Sequence, residues 1–122
     1  MKLNHECVRD LLLTIENDST SYITLSGLYN QNPPLQIHSY KDVLYTTRVL
    51  FTSEYNQGKD HSYADEMIID LITYEGHKFL DNIRDQISWN QTVEKVSKIG
   101  SVALPIVAQI AWDITKARLG VT

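Results

Sequence analysis

Apolar residues recur at spacings of three and four in five stretches of this chain, separated by short runs that favour extended structure or turns. In the first stretch Val8, Leu11, Leu12 and Ile15 form one stripe, with Glu6, Arg9, Asp10 and Glu16 largely off it, which predicts an amphipathic helix. Asn4 is suited to cap its entry, Leu3 and Val8 are spaced as a hydrophobic staple, and Asn17-Asp18-Ser19 ends it with turn-forming residues. A second helix is predicted behind Ser39, where Tyr40, Val43, Leu44, Thr47, Leu50 and Phe51 share a face and Lys41, Asp42, Tyr45, Arg48 and Thr52 occupy the other. Between them, Tyr22 to Leu25 reads as one short strand. Residues 26–38 show no full-length amphipathic pattern, and Asn30-Gln-Asn-Pro-Pro34 is loop chemistry, so any helix there is short, irregular or absent.

The middle of the chain predicts a hairpin, with a first strand at Ser53 to Asn56, a tip at Gln57 to Glu66 and a return strand at Met67 to Ile72. Only Asp70 interrupts the return strand, which implies burial on both sides for much of its length. Thr73 caps the next helix, whose inner face is Gly76, Phe79, Leu80 and Ile83. Glycine in a helix costs about 1 kcal/mol against alanine, so Gly76 implies close approach to another backbone. Ser88-Trp-Asn-Gln91 fits a capping box opening a helix with Trp89, Val93 and Val96, ended by Gly100. Pro105 suits the first turn of a last helix striped by Val107, Ile110, Ala111 and Ile114, widened by Ile106 and Trp112 and stopped by Gly120. The expected fold is α+β: a winged-helix-like domain with a small antiparallel sheet over residues 1–86, then a C-terminal helical extension over 87–122.

Composition narrows the function more than it defines it. A chain of 122 residues with a net charge of −4 lacks the basic balance that is the simplest sign of nucleic-acid binding. Cys7 is the only cysteine, which excludes an internal disulfide and a thiolate metal cluster within one chain, and a buried packing role is favoured for it. The start, Met1 to Glu6, lacks the apolar core of a signal peptide. The longest apolar tract, Val102 to Trp112, is about half the roughly 20 residues that a membrane helix needs. The expected location is the cytoplasm, with no membrane partner.

Two stretches, Met1-Lys-Leu-Asn-His-Glu-Cys-Val-Arg-Asp-Leu-Leu-Leu-Thr-Ile-Glu16 and Leu71-Ile-Thr-Tyr-Glu-Gly-His-Lys-Phe-Leu-Asp-Asn-Ile-Arg-Asp85, resemble a family of short uncharacterised proteins of Gram-positive bacteria and their phages. Trp89 and Lys116-Ala-Arg-Leu-Gly120 also fit, so the resemblance spans nearly the whole chain. It implies a winged-helix-like fold and carries no assigned activity, catalytic residue or binding residue.

Candidate chemistry is sparse. His5, His38, His61 and His77 include no pair at the i, i+4 spacing of helical metal ligands, and no glycine-rich phosphate loop or nucleophile elbow occurs. No cofactor, metal or enzymatic activity is expected. For His77 a capping or packing role is favoured, and Asp60, His61, Asp65 and Glu66 read as a solvated loop tip rather than a cation site. The leading expectation is a non-catalytic regulatory protein of bacterial or phage origin that binds double-stranded DNA through a helix-turn-helix element, with Lys41, Tyr45 and Arg48 on one outward face as contacts. Asp42 on that face, and Asp60, Asp65 and Glu66 against Lys59 in the hairpin, oppose it. The alternative is a protein-interaction module on the same scaffold. The apolar C-terminal helices either pack back on the domain or form a homodimer interface.

Overall fold

The computed structural model describes residues 3–18, 22–100 and 102–120, and among these it shows an α+β fold of six α-helices and one three-stranded antiparallel sheet. Ser19, expected in the turn after the first helix, lies outside the described residues. The chain forms two compact units, Met1–His77 and Lys78–Thr122, a division that falls ahead of the boundary expected after residue 86.

In the first unit, α1 (His5–Asn17) begins where the Asn4 side chain accepts from the backbone N–H groups of Glu6 and Cys7, at 3.0 and 3.3 Å. Its expected stripe is the face that is buried: Val8, Leu11, Leu12 and Ile15, with Cys7 beside them. Strand β1 (Ile23–Thr24) is cut short because the Thr24 hydroxyl caps α2 (Leu25–Gln31) by accepting from Gly27 N–H, so Leu25 opens a helix instead of ending a strand. A 3-10 segment (Pro33–Ile37) follows, started by the two prolines. Residues 26–38 are thus the short and irregular element that their mixed pattern implies. Ser39 then caps α3 (Tyr40–Thr52) through Asp42 N–H, and Val43, Thr46, Thr47 and Leu50 are buried. Helices α1 and α3 pack together, and α2 covers the sheet.

The hairpin departs from its expected register. Its first strand is β2 (Asn56–His61), not Ser53 to Asn56, and the supposed long tip is largely paired strand closed by a 3-10 turn (Ser62–Ala64). Strand β2 lies at an edge of the sheet, in the order β1-β3-β2, and exposes Gln57 to Asp60, so no hydrophobic alternation marks it. Strand β3 (Glu66–Ile72) is central, pairing Ile23 with Ile69 on one side and Asn56 through His61 with Ile72 through Glu66 on the other. It is not buried on both faces. Met67 and Ile69 are fully buried and the residues of the opposite face are half-buried, because that second face is only partly covered; Leu71, on the face of Met67 and Ile69 near the strand's end, is 44% exposed.

The strand-to-helix junction is as its residues imply. Thr73 N–H donates to Tyr55 O at 2.9 Å, and the Thr73 hydroxyl donates to Glu54 O while accepting from Gly76 N–H at 3.1 Å. A Cβ on Gly76 would lie 2.1 Å from Tyr55 O. That close backbone approach explains a glycine in the first turn of α4 (Tyr74–Ile83) despite its helix cost.

In the second unit, the cap of α5 (Gln86–Ile99) is Asp85 rather than Ser88: its carboxylate accepts from Ser88 N–H at 3.0 Å, and the helix starts three residues before the expected box. Ser88 is itself buried inside the helix, where its carbonyl accepts from Thr92. Gly100, at φ 99°, ends α5. Pro105 lies in the first turn of α6 (Leu104–Arg118), which buries Val107, Ala111 and Ile114 and packs with α5. Ile106 and Trp112 do not widen that buried stripe. They are 48% and 44% exposed, and Lys116 lies over the Trp112 ring at 5.5 Å. Arg118 binds both the Asp85 carboxylate and the Ser88 hydroxyl, tying the end of α6 to the start of α5. No helix among the described residues is long and apolar enough to cross a membrane.

Candidate nucleic-acid interface

Helical periodicity brings the three expected contact residues together. Lys41, Tyr45 and Arg48 stand at i, i+4 and i+7 on α3, and one turn of helix separates each from the next. With Tyr40, Leu44, Ser62 and Asp65 they line a cleft of about 430 Å³ between α3 and the hairpin turn. Lys41 and Arg48 are exposed and Tyr45 is half-buried. Two cations flanking an aromatic ring can bind phosphate oxygens on either side of a planar group.

The acids of the hairpin turn are less free than their sequence suggests. Arg48 Nε lies 3.4 Å from Asp60 Oδ2. Hydrogen bonds from Ser62, including its N–H at 2.8 Å, together with the Arg48 charge hold the Asp60 carboxyl below the usual carboxylate range. Glu66 turns inward. Burial would raise its pKa, but that effect is outweighed by hydrogen bonds from Ser26 N–H and Oγ at 2.9 and 2.5 Å, Met67 N–H at 3.1 Å and the Tyr40 hydroxyl, and the carboxyl is held low. The Tyr40 phenol, pushed up to about 12 by burial and then by the Glu66 charge, stays protonated and donates to Asp65 O at 2.6 Å. Asp65 itself sits in the left-handed region at φ 54°. One glutamate therefore joins α2, α3 and the start of β3, and sets the hairpin against the helix that carries Lys41 and Arg48. The expectation of three repelling acids at the turn is corrected to two, one of them ion-paired.

Sequence patterns miss several polar groups that shape this unit. His38 is buried and its Nε2 lies 2.7 Å from Asp10 Oδ2, linking α1 to the residue just before the cap of α3, while Tyr29 donates to the His38 carbonyl at 2.7 Å. Both His38 and Asp10 lie off the apolar stripes, so periodicity does not register them. Tyr29 packs edge-on against Tyr40 with centroids 5.3 Å apart. Cys7 is buried, accepts from Thr46 at 3.4 Å and is pushed up to about 11 by burial, which favours the protonated thiol. His77 is exposed and does not pack. Among the described residues no group of three or more His, Cys, Asp or Glu side chains is placed to hold a metal ion.

Residues 2–103 match the family model described as Hypothetical protein (DUF2513), a span that includes α1 through α5 and the whole cleft. An uncharacterized protein of Haemophilus influenzae is 28% identical over 127 residues, covering 98% of this chain and 99% of that protein. No solved structure matches. The chain belongs to the DUF2513 family of hypothetical proteins.

Proposed function

We propose that this is a non-catalytic regulatory protein of bacterial or phage origin, acting in the cytoplasm, that binds nucleic acid through a winged-helix-like first unit. The order α1-β1-α2-α3-β2-β3, with β3 central, supports that architecture, in which α3 is the recognition helix and the β2–β3 hairpin the wing. The observation that carries the function is the convergence of Lys41, Tyr45 and Arg48 on one cleft beside the hairpin turn. Winged-helix analogy makes double-stranded DNA the first partner to test. Two phosphate contacts, from Lys41 and Arg48, give a plot of log affinity against log salt with a slope of roughly −2. Fluorescence titration of a mixed-sequence duplex and of its single strand at low and moderate salt measures that slope, and absence of binding by both at low salt would remove the proposal.

The Arg48–Asp60 pair favours a second reading, a protein-interaction module on the same scaffold, because it answers a cation from within the chain. A homodimer through the C-terminal helices accompanies either reading. The exposed Ile106 and Trp112 of α6 are the residues it would cover. Sedimentation of the intact chain decides that point: a monomer at micromolar concentration excludes the dimer.

A further inference from the structure

The turn of the hairpin carries an aromatic pair that the α3 face does not explain. Tyr63, in the 3-10 turn, is 85% exposed. Its ring stacks against His61 with centroids 5.6 Å apart and planes inclined by 27°, and its hydroxyl lies 3.2 Å from His61 Nδ1. The ring takes no part in the core, yet the histidine restricts its rotation and leaves one aromatic face to solvent. An exposed, oriented ring is a ready surface for a planar ligand. Tyr63 itself does not line the cleft that holds Lys41 and Arg48, but the residue before it in the turn, Ser62, does, so the ring stands one residue from the cleft's rim.

We infer that Tyr63 is a stacking platform for an unpaired nucleobase, so that the nucleic acid is engaged as a single strand or at a single-stranded tail. This rests on the nucleic-acid reading above and specifies the form of the ligand. Stacking between a base and an aromatic side chain tolerates any sequence, since every base presents a π face. The charge around the turn favours the same form. A duplex presents two dense rows of phosphates to Asp60 and Asp65, whereas a single strand presents one. The exocyclic amino group of a splayed base can instead donate to the Asp65 carboxylate. The cations of α3 then take the flanking phosphates.

The test uses the full chain and three labelled probes in fluorescence anisotropy at low salt: a mixed-sequence 12-mer single strand, its blunt duplex, and that duplex with a single-stranded tail. The single strand and the tailed duplex are expected to bind more tightly than the blunt duplex. Tyr63→Ala should weaken both by roughly five- to a hundredfold, the range for loss of one stacked base, while Tyr63→Phe retains binding. Because the ring is exposed, unchanged thermal melting of Tyr63→Ala verifies that the fold persists. Equal or tighter binding of the blunt duplex, or single-strand binding indifferent to Tyr63→Ala, overturns the stacking role and leaves the nucleic-acid reading standing. Failure of all three probes to bind overturns both.

Discussion

The hairpin is held differently at its two ends. At the root, backbone carbonyls are met at close range: Thr73 donates to Tyr55 O through its N–H at 2.9 Å and to Glu54 O through its hydroxyl at 2.5 Å, and a Cβ on Gly76 would have no room beside Tyr55 O. At the tip, side chains do the holding. Glu66 gathers Ser26 and Tyr40, Asp60 meets Arg48, and Tyr63 stands in solvent. The root is a frame, because Thr73 and Gly76 are fitted directly against the Glu54 and Tyr55 carbonyls. The tip presents charged and aromatic groups whose partners are exchangeable, which is why the candidate interface lies there. Substitutions at the root should therefore act on stability, and those toward the outer tip on binding.

The largest effect belongs to Gly76→Ala. The added carbon must displace the Tyr55 carbonyl, which also accepts from Thr73, and the strain of overpacking exceeds the gain in helix propensity. A loss of about 2 kcal/mol in urea unfolding is expected. An unchanged midpoint would show that the root is looser than its geometry implies and erase the contrast between the two ends.

A smaller and pH-dependent effect belongs to Glu66, at the inner side of the tip. Glu66→Gln keeps the shape but gives up the charge that strengthens the bonds from Ser26, a loss of about 1 kcal/mol at neutral pH. Since the folded carboxyl titrates below its ordinary value of 4.5, its contribution is fully present above that value and is lost as pH falls through the folded pKa. Asp60 and Asp85 shift in the same direction, so the wild type loses stability in acid for several reasons. The difference between wild type and Glu66→Gln isolates one of them: it should shrink as pH drops below about 4.5. A difference independent of pH would mean that Glu66 acts through packing alone.

The same contrast explains what the sequence makes legible. The root is written in local chemistry, a threonine three residues before a glycine in an amphipathic pattern, and its outcome follows from steric rules. Central β3 is apolar enough to identify as a strand, and α1 and α3 show their caps and stripes directly. The tip is not legible in that way. Strand β2 is a polar edge whose form comes from pairing with β3, so Gln57 to His61 resemble a loop until the partner is in place. The inward turn of Glu66 depends on Ser26, forty residues away, and the Arg48–Asp60 pair depends on hairpin register. The outward spacing of Lys41, Tyr45 and Arg48 could be read from helical period alone. Which acid would answer Arg48 could not.

The smallest effect on stability, and the sharpest separation of the two ends, belongs to Asp60→Asn. The Arg48 side chain is 63% exposed, and an ion pair of this kind contributes at most about 1 kcal/mol, so unfolding should barely change. Binding should change in the opposite sense from Gly76→Ala, which impairs the fold. Removing the Asp60 charge releases the Arg48 guanidinium and takes away one repulsive group beside the proposed phosphate contacts. Affinity for the oligonucleotide probes should then rise about threefold at low salt, with the gain fading as salt screens the contact. Arg48→Ala supplies the matching loss: weaker binding, equally little change in stability, and a salt slope reduced by about one. If Asp60→Asn instead weakens binding, the carboxylate is itself a contact, and the cleft reads a donor on the ligand rather than competing for its phosphate.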